Sequence, residues 1–377
     1  MINIKVLVLC TYTSTYVLQL FKYVREYHPD VKYSLFTHIS AKEYYENNLV
    51  LSDDETIYSF GNHEYLCGVE AMKLPHFDII HSLWMERFWG EWAGVFKRKC
   101  DAWFCSVGGS DLYRDSSKLI QRILQKRIIR RADWISSEGE ETKEFFNNIY
   151  GAICDNTNHT IIRYGVDILD AIDDISGEKT ANIKEKYGIS HDKIVIMCGT
   201  NSRVEHQHMA ILHALSLLPE DVRDRIALLI PMTYGGGTKA YIEQVGATAD
   251  NIAETVVLTN FLSTREMAEI AKATDIMIHV QTTDQLSSAM LSNMYNGNVV
   301  IAGEWLPYNE LRDKGIYFIS VDCIEELNST IMTIIDNLGE YKERCKENKN
   351  KVYEISSWKK SAFDWYSVYE KIVRDYE

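Results

Sequence analysis

The stretch from Asp275 to Ile301, DIMIHVQTTDQLSSAMLSNMYNGNVVI, constrains the fold more than any other part of the chain. Ile276, Met277, Ile278 and Val280 form a short apolar run suited to a buried parallel strand. Asp284, Ser287 and Ser288 have N-cap chemistry in front of Ala289, Met290 and Leu291, and Gly297 stops the helix before Val299, Val300 and Ile301. A helix N-terminus carrying hydroxyls therefore follows directly on the loop at the carboxyl end of a strand. Free amides and the helix dipole make that a place to hold an anionic group. An ordinary βαβ unit with serines as simple caps carries the same pattern.

With 377 residues, 46% of them hydrophobic, the chain is long enough for two domains, each with its own core. A net charge of −14 argues against broad nucleic-acid binding, which needs a positive surface. The apolar run within Met1 to Cys10 reads as a first strand rather than a secretory signal, and no run approaches the length of a membrane span. The eight cysteines form no C-x-x-C pair, so they read as buried thiols of a reducing cytoplasm.

Taken in order, Ile4 to Leu9 and Val31 to His38 are strands, with a hydroxyl-rich loop, Thr11 to Thr15, and a helix over Tyr16 to Tyr27 between them. Phe77 to Trp84 is another buried strand; His81 in it reads either as a base or sugar contact or as a satisfied core histidine. Trp84, Trp89 and Trp92 follow, with faces suited to sugar rings or to packing. Gly108 and Gly109 permit close backbone approach to a ligand ahead of Asp111, which is either a helix cap or a hydroxyl-binding or basic group. Residues 118–131 form a helix with six cations and no acid, suited to an anionic membrane surface or lipid diphosphate, or else merely solvated. The acid-rich span 168–192 is the best linker candidate. A second α/β series then starts at Lys193, with Gly199 to Arg203 after its first strand and a Gly235–Gly237 loop after its second. The final segment, 355–377, has helical periodicity.

Several of these segments resemble known glycosyltransferases. Asp284 and Ser292, followed by Met294, Gly297 and an apolar strand, keep the spacing of the glutamate pair in the donor core of family 4 enzymes, with aspartate and serine in place of the glutamates. The strand DIIH (78–81), the exit YGVD (164–167) and the closing SSW…YSVYEKIV are similar to the same family. GGSDLY (108–113), CGTNS (198–202) and PMTYG (231–235) resemble the family 56 fucosamine transferases. The resemblance implies an α/β GT-B fold, two Rossmann-like domains facing across a cleft. It implies an acceptor domain over 1–167, a linker over 168–192, a nucleotide-sugar domain over 193–354, and a helix over 355–377 returning to the first domain.

The implied reaction moves a sugar from a nucleotide-diphosphate sugar to a hydroxyl of a bacterial surface polysaccharide or lipid-linked precursor. The donor would be held by Gly199, Thr200, Asn201, Ser202, Arg203, Tyr234, Gly235, Gln285, Leu286, Ser287, Ser288 and Ser292, with Arg203 on the diphosphate. Asp111, His81 and Asp284 are the candidate catalytic residues. No D-x-D motif stands in a suitable loop, so no metal or other cofactor is expected. Family 4 implies retention of configuration and family 56 inversion, which needs a base. The implied location is cytoplasmic, peripheral to the inner face of the membrane through the basic helix. A nucleotide-sugar epimerase or a non-catalytic sugar-binding scaffold is the alternative.

Overall fold

The computed structural model describes residues 3–154 and 157–376 and divides the chain into two units, with breaks at Gly165/Val166 and Ser357/Trp358. The first unit is built on β1 (Ile4–Leu9), β2 (Val31–His38), β3 (Ile57–Phe60), β4 (Phe77–Leu83), β5 (Cys100–Ser106), β6 (Trp134–Ser137) and β7 (Asn158–Ile161). All pair in parallel in the order β3-β2-β1-β4-β5-β6-β7. The strands are near-continuous apolar runs because helices cover both faces of the sheet. β1 pairs with β2 through Leu9↔Phe36 and with β4 through Leu9↔Ser82, so the order reverses between β1 and β4. In open α/β sheets such a reversal leaves a crevice at the carboxyl ends, where ligands bind.

The second unit repeats the plan with β8 (Ile194–Cys198), β9 (Ile226–Pro231), β10 (Glu254–Leu258), β11 (Ile276–His279), β12 (Val299–Gly303) and β13 (Ile319–Val321). These are again parallel, in the order β10-β9-β8-β11-β12-β13, with the reversal between β8 and β11. The stretch singled out from the sequence is thus β11, the helix Ser288–Tyr295 and β12.

Two sequence expectations are corrected. Residues 168–192 are not a linker. They form the helices Ile168–Asp174 and Thr180–Lys186, and Ile168, Leu169, Ile172, Ile175, Ile183 and Ile189 are buried in the core of the second unit. The acids between those isoleucines line the outer face and mask their helical spacing. The last helix begins at Trp358 rather than 355, after a separate helix Asn348–Ser356.

The helix Trp358–Tyr376 is part of the first unit. It buries Trp358, Ala362, Trp365, Tyr369 and Ile372 at helical spacing, beside Phe104 and Ile79 of the sheet. Among the described residues no helix is long and apolar enough to cross a membrane. Six cysteines are buried, Cys154 is half-buried and Cys323 is exposed.

Candidate functional site

In the second unit the loops after β8 and β9 interlock. The Ser202 amide donates to the Tyr234 carbonyl at 2.8 Å, and the Ser202 hydroxyl accepts from the Gly237 amide at 3.0 Å. Glycine is required at the contact: a Cβ on Gly235 would fall 2.7 Å from Asn201 Oδ1, and one on Gly237 would fall 2.2 Å from the Ser202 carbonyl oxygen. Asn201 Oδ1 accepts from the Arg203 amide at 3.0 Å, fixing the backbone where the arginine leaves the loop. Thr200, Asn201 and Ser202 are buried, whereas Arg203 is exposed, with no carboxylate partner among the described residues. Gly199 has φ +69 and lies against the His208 ring, so its left-handed turn suits glycine alone.

This loop is pinned to the one after β11. The Thr282 amide donates to the Glu205 carbonyl at 2.9 Å, and Gln207 Nε2 donates to the Val280 carbonyl at 2.5 Å. Burial, reinforced by the neighbouring His279 and His208, lowers His206 to about 3, so its ring is neutral. The structure thereby brings Gly199 to Arg203, Tyr234 and Gly235 to the same reversal point as the segment 280–288.

Asp284 sits beyond β11 in a small network that the sequence did not announce. His279 Nε2 lies 3.3 Å from Asp284 Oδ2 and 2.9 Å from the Tyr308 hydroxyl, which itself donates to Asp284 Oδ2. Burial raises the Asp284 carboxyl, but the bonds from His279, Tyr308 and the Gln285 amide outweigh it and hold the group below its ordinary value. Asp284 is therefore an ionised, fixed acceptor. The N-cap of the next helix is Ser287 rather than Asp284. Its oxygen accepts from the Met290 amide at 3.3 Å, and its O–H has no acceptor among the described residues. Gln285, Leu286 and Ser288 are half-buried beside it.

Ser292 does not belong to this group. It is 2% exposed and donates back to the Ala289 carbonyl at 2.9 Å, so its hydroxyl faces the helix and not a ligand.

His81 is also removed from the candidates. Its two ring nitrogens meet the Tyr369 hydroxyl at 2.8 Å and the Ser106 hydroxyl at 2.7 Å, and its face stacks on Phe104 with centroids 4.6 Å apart. Burial lowers it to about 3. It is a satisfied core histidine beneath the C-terminal helix, closed to any substrate.

At the reversal of the first sheet the observations differ. Asp111 is 5% exposed; Oδ2 accepts from the Met85 amide at 2.8 Å, and Oδ1 has no hydrogen-bond partner among the described residues. Glu86, not singled out from the sequence, is held by the Thr11 amide at 3.3 Å and by the Thr11 hydroxyl. Burial pushes Asp111 up to about 7 against the pull of nearby amides. Burial likewise pushes Glu86 up to about 8, with Asp111 adding repulsion and Thr11 opposing. Trp84 has φ 66, a left-handed conformation disfavoured for a bulky residue. Gly108 makes room for it: a Cβ there would fall 2.2 Å from the indole and 3.1 Å from Asp111 Oδ1.

Both carboxyls hold protons in the folded chain that the unfolded chain releases. Their effect on stability is greatest below the ordinary carboxylate range and is lost as pH rises through about 7 and about 8. Asp111→Asn is therefore expected to stabilise the chain relative to the unsubstituted form more at pH 8 than at pH 5, as read from urea midpoints. An equal difference at both values would contradict the raised carboxyl.

A cavity of about 750 Å³ lies at the opposite edge of the first sheet, where Trp134 and Asn158 begin β6 and β7. Within its lining, Lys97 and Tyr376 both pair with Asp133. Among the described residues no three His, Cys, Asp or Glu side chains group as a metal site.

Residues 179–352 match the family model described as glycosyl transferases group 1. An uncharacterized glycosyltransferase of Methanocaldococcus jannaschii is 25% identical over 268 residues, 70% of this chain and 65% of its own length. The match thus spans slightly less than two thirds of that relative's length. Among solved structures, sucrose-phosphate synthase from Thermosynechococcus elongatus superposes with a TM-score of 0.78 at 12% identity, covering 98% of this chain and 99% of that one. Anabaena HepE in complex with UDP and glucose superposes at 0.75 and 12% identity, covering 98% and 100%.

Proposed function

We propose, from the match of residues 179–352 to the family model described as glycosyl transferases group 1, that this chain of GT-B fold transfers a sugar from a nucleotide-diphosphate sugar to a hydroxyl of a surface polysaccharide or lipid-linked glycan precursor. The observation that carries the reading is the set of interlocked loops at the second reversal, with an exposed Arg203 at the rim and the Ser287 O–H at a helix N-terminus. Arg203, Ser287, Ser288 and the amides of that helix bind the diphosphate and stabilise it as charge develops on the leaving oxygen. Asp284, fixed and ionised, accepts a hydroxyl of the donor. UDP bound to HepE supports a uridine nucleotide as the first donor to try. The reaction uses protein groups without a bound metal.

The first unit presents the acceptor near Gly109 and Asp111. With His81 enclosed, Asp111 is the remaining base among the sequence candidates for an inverting transfer, and the anomer of the product, read by NMR, decides between inversion and retention. A thermal-shift panel of UDP-, GDP- and TDP-sugars, followed by turnover with saccharide acceptors, tests the whole reading. No shift with any donor would overturn it.

The chain works at the inner face of the cell membrane. On the helix Leu119–Ile129, Leu119 is 75%, Ile120 67% and Ile123 47% exposed, among the exposed cations Lys118, Arg122, Arg127 and Arg130. Apolar side chains set in a cationic surface suit an anionic bilayer. Ile120→Asp is expected to abolish co-sedimentation with phosphatidylglycerol vesicles. Retention by the variant would exclude this surface.

A further inference from the structure

The carboxyl edge of the first sheet holds a cluster that diphosphate chemistry leaves unused. Thr11 and Tyr12 follow β1, Trp84 and Glu86 follow β4, and Gly108 and Asp111 follow β5, so adjacent strands converge on one patch. The Tyr12 and Trp84 rings lie 5.1 Å apart at 32°, and Tyr12 is 47% exposed. Trp84 reaches this position only through its left-handed backbone, against a glycine that nothing larger could replace. The Asp111 oxygen beside that indole is buried and has no partner among the described residues, an arrangement that costs free energy unless a ligand supplies a donor.

We infer that this patch is a subsite for a neutral saccharide: a pyranose face lies on the Tyr12 and Trp84 rings, and its hydroxyls bond to Glu86 and Asp111. Aromatic rings present flat apolar faces to the C–H side of a sugar, while carboxyl groups take its hydroxyl edge. The inference rests on the transferase reading and narrows it, naming the acceptor as an uncharged sugar ring.

The surroundings favour an uncharged ligand. Cys10, Tyr12 and Cys67 face Glu86, and Tyr12, Cys105 and Tyr150 face Asp111, all neutral at pH 7. Burial keeps Glu86 largely protonated at neutral pH, so it offers an O–H as well as an acceptor oxygen. A phosphate at this place would meet carboxyls and no counter-charge from these groups. The patch thus discriminates a sugar from a sugar phosphate.

Saturation-transfer NMR on the whole chain, with methyl glucosides, galactosides and mannosides against glucose 6-phosphate, tests this directly. At least one neutral glycoside is expected to receive saturation at pH 7, and the phosphosugar to receive none. Tyr12→Ala keeps the backbone carbonyl that the Tyr45 hydroxyl bonds, so the fold is retained. It is expected to weaken the glycoside about tenfold by removing the stacking face, and Glu86→Gln to weaken it less while leaving nucleotide-sugar thermal shifts unchanged. Failure of every glycoside, equal binding of the phosphosugar, or unaltered binding by Tyr12→Ala would each overturn the subsite. Nucleotide-sugar shifts read separately: if they occur without glycoside binding, only the subsite falls, and if glycosides bind without them, only the transferase reading falls.

Discussion

Trp365→Ala is expected to lower the unfolding free energy by about 3–5 kcal/mol, measured by urea denaturation. The indole is fully buried and meets three rings at once: His81 at 5.1 Å, Phe104 at 5.7 Å and Tyr164 at 5.1 Å between centroids. Its removal leaves a large void between the C-terminal helix and the first sheet, and the stiff sheet cannot collapse to fill it. The indole N–H has no partner to lose among the described residues, so the cost is almost purely one of packing. A variant within 1 kcal/mol of the unsubstituted chain, on the scale of a surface change, would mean that the helix is only loosely applied to the sheet.

Arg203→Ala is expected to lower sugar transfer by about 10²–10³-fold, the usual loss when one donor that stabilises developing negative charge is removed. The guanidinium is exposed, and the loop beneath it is held by the Arg203 amide on Asn201 and by the Ser202 contacts with Tyr234 and Gly237. Those bonds persist in the alanine variant, so its melting temperature should not move. Arg203→Lys should recover part of the rate, since a point charge replaces a bidentate fork. Transfer within threefold of the original rate in Arg203→Ala would remove the arginine from the diphosphate site.

The two-sheet plan was legible because parallel strands buried on both faces are written as apolar runs, as in 276–280 and 194–198, and their loops carry glycines and hydroxyls. Loop residues 199–203, 234–235 and 284–288 could be named from order alone because each follows a strand directly, and the sheet places strand ends together. Side-chain direction was another matter. Ser292 had the right spacing, yet a position four residues into the helix Ser288–Tyr295 points inward. His81 carried the chemistry of a base, but partners for both its nitrogens arrive from residues 106 and 369.

Long-range partners explain the omissions too. Tyr308 reaches Asp284 across 24 positions and Thr11 reaches Glu86 across 75, distances over which no periodicity speaks. The supposed linker failed for a local reason: its acids dominated composition while isoleucines at 168, 172, 175 and 183 kept helical order beneath them.

The last helix has a consequence for how the chain is made. Residues 166–357 are one uninterrupted span and can fold as soon as they leave the ribosome, whereas the first unit lacks Trp365 and Tyr369 until the segment after Ser357 has also been made. The middle of the chain therefore matures before its beginning. Until then the sheet face around Ile79 and Phe104 stays uncovered, a surface that a nascent-chain chaperone would have to shield.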